Sequence, residues 1–293
     1  MGSQASRAVR MVAFGWMAAA SPSVLRAVDL HPATLAAWND YVRKTDAGMQ
    51  TRLHGKRSFL WADEAPERAA RLRHGQILVA PVAGGGILQV PDGLIHHWIG
   101  AAFLPGATLV GVGGVIHDYA RYKDVFKPVV ADSKLLACSE VGPQFSMIWQ
   151  HRVLFVTAAV RGEYEASDIA VDGNRGYDTV TNTRMQEIQN YGETGERLLP
   201  PDQGRGFLWR MHSIARYEQR DGGVYLELEA VALTRDVPDS LRWLVNPVMN
   251  HLSNDALAIT LRETRDAVGR AEQAASAPAE RCHSPISSRR AVE

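Results

Sequence analysis

The feature that constrains the fold of this chain most strongly is a pair of segments in which apolar and polar residues alternate. A tight turn joins the two segments, and a long helix follows directly. Asp221-Gly222-Gly223 is typical of a β-hairpin turn and separates segments 207–217 and 224–233. The apolar side chains of the two segments fall on one face, and they are Phe207, Trp209, Met211, Ala215, Tyr217, Val224, Leu226 and Leu228. The charged and polar ones fall on the other face, and they are Arg210, His212, Arg216, Glu218, Glu227 and Glu229. This pattern predicts an antiparallel sheet that is apolar on one face and wet on the other.

A long amphipathic helix follows the hairpin. Pro238 ends the strand, and residues 239–269 carry an apolar stripe at helical spacing. Pro247 is expected to kink this helix or to split its first turns. The stripe contains Val245, Met249, Leu252, Ala256 and Ile259.

Further helices and strands are predicted earlier in the chain. Periodicity indicates a helix over 32–53, ended by Gly55, and a helix over 107–122. Strands are predicted over 94–104, 132–138, 145–149, 153–164 and 177–188. Runs of strands followed by one long helix favour the α+β class.

Composition and motifs exclude several kinds of function. Lys plus Arg number 32 and Asp plus Glu number 32, so the chain has no electrostatic signature of nucleic-acid binding. Only two cysteines are present, neither in a CxxC motif, and the adjacent His96 and His97 point to opposite faces of a strand. No phosphate-binding or nucleophile-elbow motif occurs. We therefore expect no metal site, no cofactor and no nucleic-acid partner.

The N-terminus has the order of a secretory signal peptide. Arg7 and Arg10 precede an apolar run over 11–20, which Ser21-Pro22-Ser23 interrupts. We predict a signal peptide over 1–27 and a periplasmic or secreted protein; without cleavage the protein would be cytoplasmic. A run of ten residues is too short to span a bilayer, so we expect no integral membrane segment in the mature chain. The Ala-, Ser- and Pro-rich residues 271–293 predict a disordered tail.

Three stretches carry a resemblance to a known family. They are 97–106 (HWIGAAFLPG), 118–136 (from DYARY to KPVVADSKLL) and 221–238 (from DGGVYLE to LTRDVP). With the order of elements they resemble the START-like superfamily, also called SRPBCC, helix-grip or Bet v 1-like. In particular they resemble a bacterial branch with a signal peptide and an N-terminal helix. The resemblance covers residues 90–270 and leaves 28–89 as a helical extension with short strands.

This resemblance implies a curved antiparallel sheet wrapped around the C-terminal helix, with a cavity between them for a small hydrophobic ligand, lipid-like or polycyclic. A water-excluding apolar cavity favours an apolar guest. The side chains expected to line it are Trp149, Tyr177, Arg184, Trp209, Met211, Tyr217, Leu226, Leu228, Val245, Met249 and Leu252. Arg184 is the one that could bind a carboxylate or phosphate of the ligand.

Three functions remain open at this point. We favour binding or transport without catalysis, because no paired acid, base and nucleophile is evident. The first alternative is a polyketide cyclase or dehydratase of the same fold, with Arg184, Tyr177 or His97 as its acid or base. The second is a protein-interaction module. Neither the ligand's identity nor the oligomeric state follows from the residues.

Overall fold

The computed structural model describes residues 28–274 apart from 83, 141, 154–155 and 237–238. Side chains are described for these residues except at 84, 152–153, 156, 239–253 and 274. The predicted signal peptide and all but the first four residues of the predicted tail lie outside this range. So do the side chains of Val245, Met249 and Leu252.

The described part of the chain contains five α-helices. They are α1 (Pro32–Leu53), α2 (Pro66–Arg73), α3 (Leu109–Ile116), α4 (Tyr122–Val125) and α5 (Asp239–Ala274). The prediction for α1 is confirmed, and Gly55 adopts the positive φ of 71° that suits a residue after a helix end. The predicted helix over 107–122 is wrong in its second half: α3 ends at Ile116, and a 3-10 turn follows at Tyr119–Arg121. Three glycines within α3 lower its helix propensity.

Twelve strands lie between or beside these helices in the described residues. In chain order they are β1 (Val28–Asp29), β2 (Leu78–Pro81), β3 (Ile87–Val90), β4 (Gly93–Pro105), β5 (Val130–Cys138), β6 (Pro143–Val153), β7 (Val156–Ala170), β8 (Arg175–Gln189), β9 (Arg197–Leu198), β10 (Gln203–Gly204), β11 (Arg210–Arg220) and β12 (Gly223–Arg235). The predicted hairpin is confirmed, because β11 and β12 pair in register from Arg220 opposite Gly223.

Ten of these strands form one antiparallel sheet. Its order is β2-β4-β12-β11-β8-β7-β6-β5, with β3 also paired to β4 and β9 to β8. The remaining two, β1 and β10, pair with each other. Helix α5 runs through Pro247 as one element and packs most extensively against β4. A large curved antiparallel sheet gripping a C-terminal helix is the α+β helix-grip fold, as predicted.

The face of the sheet that contacts α5 is called here the inner face. Gly100 of β4 lies on it, so close to α5 that a Cβ atom there would meet Leu261 Cδ1 at 2.7 Å and Leu257 at 3.1 Å. Leu226 of β12 belongs to the same apolar cluster. Glycine at position 100 therefore permits the close approach of helix and sheet.

The opposite face, called here the outer face, is covered by the N-terminal segment. Met49 of α1 and Leu72 of α2 pack there with Phe103, Tyr225 and Ile214 of the sheet. The prediction of a wet face is therefore wrong. Strand periodicity separated the two faces correctly, but a distant segment of the chain covers the charged one.

The N-terminal extension is part of the same sheet. Its strands β2 and β3 both pair with β4, and the Thr34 hydroxyl of α1 donates to the Pro91 carbonyl (2.7 Å). Within the described residues, no helix combines the length and the apolar character needed to cross a membrane.

Candidate functional site

The inner face of strands β5 to β8 carries a cluster of aromatic and methionine side chains. Antiparallel pairing places Phe145 opposite Tyr164 and Met147 opposite Gly162, so that these side chains share one face. The buried members are Tyr119, Val130, Phe145, Met147, Val160, Tyr164, Ala166 and Met185, and half-buried Trp149 and Met211 pack against them. This surface, called here the aromatic wall, lies across the sheet from β4, where α5 packs most extensively.

Stacked rings form the centre of the aromatic wall. The Phe145 ring is stacked on Tyr119 at 4.3 Å and on Tyr164 at 5.2 Å between centroids. The Trp149 indole N–H donates to the Tyr164 hydroxyl (2.7 Å), and burial raises the pKa of Tyr164, so this hydroxyl stays protonated. A buried polar atom is thus satisfied within an otherwise apolar surface.

The other half of the inner face is filled by helix packing. Tyr217, Leu226 and half-buried Leu228 of β11 and β12 belong to one apolar cluster with Leu257 and Leu261 of α5. Helix α5 contacts β2, β4 and β12 more extensively than the strands of the aromatic wall, and α3 packs against α5. The two halves of the inner face are therefore covered differently.

A polar cluster closes one end of the inner face. His117 follows α3, Asp168 lies near the end of β7, and Asp178 and Tyr217 lie on neighbouring strands. The Tyr217 hydroxyl donates to Asp168 Oδ1 (2.9 Å) and is also 3.2 Å from Asp178 Oδ1, while His117 Nε2 is 3.1 Å from Asp178 Oδ2. The cluster brings together the end of α3, the neighbouring strands β7 and β8, and β11.

Burial governs the ionisation of this cluster. Burial raises the pKa of the Asp178 carboxyl, with His117 opposing the shift, and burial with the two nearby carboxylates raises the pKa of Tyr217. Each shift favours the protonated form of the group relative to the same group in water. Each of His117, Asp168 and Asp178 offers one ligand atom within 4.8 Å of the others, so the three could also hold one cation.

Five of the predicted lining residues share the inner face: Trp149, Met211, Tyr217, Leu226 and Leu228. Three others do not. Tyr177 is paired with Arg216 and packs on the outer face. Trp209 packs on Trp38 of α1, because it precedes the first residue of β11 and the alternation of that strand does not extend to it. Arg184 is exposed, beside a β-bulge in the pairing of β7 with β8.

The acid–base candidates proposed from the sequence are also displaced. His97 and Tyr177 lie on the outer face and Arg184 is exposed. Two acid–base groups that do lie at the inner face are His117 and Asp178. Sequence reasoning missed Asp178, although its spacing of two from Gly176 and Val180 places all three on one face of β8. The position of His117 had no such signal, since it depends on where α3 ends.

The charged residues of the outer face form a buried network. Arg216 and Glu227 are both fully buried, and Arg216 Nε donates to Glu227 Oε2 (3.1 Å). Arg216 Nη1 donates to Glu229 Oε2 (2.7 Å), and His97 Nε2 lies 2.8 Å from Glu229 Oε1. His97 Nδ1 is in turn 2.8 Å from the hydroxyl of Tyr41 in α1. These residues lie in the interior and not on the wet face predicted from the alternation, and the buried Nη2 of Arg216 has no hydrogen-bond partner among the described residues.

Glu227 ties the network to the N-terminal segment. Its carboxylate accepts hydrogen bonds from the backbone N–H groups of Trp61 (2.9 Å) and Ala62 (2.8 Å). Arg52 of α1 donates to the Ser58 carbonyl and forms an ion pair with Glu64 at 2.9 Å. Charge-assisted hydrogen bonds therefore fix α1 and the 3-10 turn Trp61–Glu64 on the outer face.

Comparison with known proteins bears on the fold alone. No protein-family model matches the chain, and no curated protein matches its sequence. Among solved structures, it is similar to a STAR-related lipid transfer protein from Xanthomonas axonopodis, with 18% identity over 66% of this chain and 98% of that chain (TM-score 0.41). It is also similar to the Zhui aromatase/cyclase from Streptomyces sp. R1128 (12%, 63% and 99%, TM-score 0.42) and to a START superfamily protein from Mycobacterium smegmatis (12%, 61% and 98%, TM-score 0.36).

Proposed function

We propose that this protein binds a hydrophobic ligand, lipid-like or polycyclic, against the aromatic wall of the inner face. The observation that carries the proposal is the half-burial of Trp149 and Met211 at the edge of a stacked aromatic cluster. Large apolar side chains that keep part of their surface accessible on a concave sheet favour contact with an apolar partner.

The energetics of such binding are adequate. A ligand that buries about 300 Å² of apolar surface gains on the order of 7 kcal/mol before the cost of ordering is subtracted. Trp149 offers a large flat ring, and Met211 offers a flexible side chain that adapts to the ligand's shape. The hydroxyl of Tyr217 and its carboxylate partners supply a polar end for a ligand with one polar group.

The test uses two half-buried tryptophans on opposite faces. Trp149 belongs to the aromatic wall, and Trp61 lies in the 3-10 turn on the outer face. Binding of a fluorescent fatty acid and of Nile red is measured for the wild type, Trp149→Ala and Trp61→Ala, at a temperature where circular dichroism shows all three folded. We expect at least tenfold weaker binding of both probes for Trp149→Ala and, for the uncharged Nile red, less than twofold change for Trp61→Ala.

A second variant guards against a local loss of structure. Met211→Gln keeps the side chain's length and places an amide at the aromatic wall, and we expect severalfold weaker binding from it. Equal binding by the wild type, Trp149→Ala and Met211→Gln, or no binding of either probe by the folded wild type, would contradict the proposal.

A further inference from the structure

A cavity of about 300 Å³ lies on the outer face, between α1, the 3-10 turn Trp61–Glu64 and the sheet. This cavity, called here the outer pocket, is separated from the aromatic wall by the sheet itself. Its size is at the lower end of the range for small-molecule sites. The side chains that matter for its chemistry are those of Tyr41, Lys44, Met49, Trp61, His97 and Ile99.

One side of the outer pocket is apolar. Met49 is buried, Ile99 is buried, and the Trp61 ring is held in place by the guanidinium of Arg68, 4.2 Å from the ring centroid. Gly48 of α1 faces the same space, and a Cβ atom at this position would meet no other atom within 4 Å. Glycine is a poor residue for a helix interior, and here it leaves the pocket open.

The other side of the outer pocket is charged, and its charges do not balance. Four of the charged side chains that line it form ion pairs, and their charges sum to zero: Arg52, Arg57, Glu64 and Glu229. Lys44 also lines the pocket, is exposed, and has no ion pair with any residue that the structure describes. One positive charge at the mouth is therefore left for a ligand.

Tyr41 and His97 add a directional group. Glu229 is ionised, so the hydrogen of its bond with His97 is on Nε2, and the Tyr41 hydroxyl is hydrogen-bonded to Nδ1 of the same ring. The hydroxyl oxygen of Tyr41 keeps an acceptor position for a hydrogen-bond donor. The pocket thus combines an apolar wall, one cationic group without an ion pair and one hydrogen-bond acceptor.

We propose that the outer pocket is a second binding site, specific for a small organic anion with a flat apolar body. The carboxylate of such a ligand pairs with Lys44, and its body lies against Met49, Trp61 and Ile99. Because the sheet separates the two sites, this proposal is independent of ligand binding at the aromatic wall.

The experiment is isothermal titration of the full chain with naphthoate, with uncharged naphthamide and inorganic phosphate as comparison ligands. We expect naphthoate to bind with a dissociation constant below 1 mM, naphthamide to bind more weakly, and phosphate alone not to bind. Gly48→Leu fills the pocket from an open position and should weaken naphthoate binding at least tenfold. It also removes a helix-interior glycine, so the fold should be preserved.

Two further variants separate this site from the aromatic wall. Lys44→Gln changes an exposed residue and should weaken naphthoate binding by about three- to fivefold, as expected for one exposed ion pair, while leaving naphthamide binding unchanged. In Trp149→Ala, which disrupts the aromatic wall, naphthoate should still bind with a dissociation constant below 1 mM. The proposal is overturned if wild-type protein does not bind naphthoate, if folded Gly48→Leu binds it as the wild type does, or if only Trp149→Ala weakens it.

Discussion

Replacement of Glu229 by Gln measures the strength of the buried network on the outer face. The Glu229 side chain is 13% exposed and bonds to both His97 and Arg216. Burial by itself raises the pKa of this carboxyl, but the hydrogen bond from His97 and the charge of Arg216 outweigh burial and lower the pKa from 4.5 to about 2. The difference corresponds to about 3 kcal/mol of stability from the ionised carboxylate.

The sign of the pH dependence follows from the lowered pKa. Because the folded state holds this proton less tightly than the unfolded state, the stabilisation is complete above about pH 5 and is lost as the pH falls towards 2. Glu229→Gln should therefore unfold about 3 kcal/mol more easily than the wild type at pH 7, in line with removal of one partner from a buried ion pair. This gap should narrow as the pH approaches 2.

The assay is guanidinium denaturation followed by far-UV circular dichroism from pH 7 to pH 2.5. Subtracting the unfolding free energy of the variant from that of the wild type removes the contribution of all other titrating groups. Glu193→Gln, on the exposed loop after β8, is the control and should have little effect. A gap below 1 kcal/mol at pH 7, or a gap that does not shrink with acid, would refute this account of the network.

Two further predictions concern close packing and burial. Gly100→Val should lower the free energy of unfolding, measured by thermal melting, by about 1–3 kcal/mol, because its side chain would collide with Leu261 and Leu257. Gly173→Ala is the control, because its Cβ atom would meet nothing within 4 Å. Burial lowers the pKa of His96 from 6.5 to about 4, so its ring protons should titrate near pH 4 by NMR. The neutral His96 ring contributes its full stability above pH 6.5, and this contribution is lost as the pH falls through 4. A titration midpoint near pH 6.5 for the His96 ring would contradict its burial.

Several elements of secondary structure could be predicted from the sequence alone. The hairpin at Asp221-Gly222-Gly223, helix α1 and the long helix α5 follow from turn chemistry and from periodicities of 2 and 3.6 residues, and the structure has each of them. The period of two also separated Leu226 from Glu227 correctly. These features depend on neighbouring residues, so short-range rules suffice.

What covers each face was decided only by the tertiary structure. The carboxylate of Glu227 accepts hydrogen bonds from Trp61 and Ala62, which are 166 and 165 positions away in the chain. An alternating charged face has the same pattern whether water or a distant helix covers it, so Arg216 and Glu227 were predicted to be wet. Long-range pairing placed Tyr177 opposite Arg216 on the outer face, and long-range packing brought His117 to Asp178. It also created the outer pocket between segments that no local pattern connects.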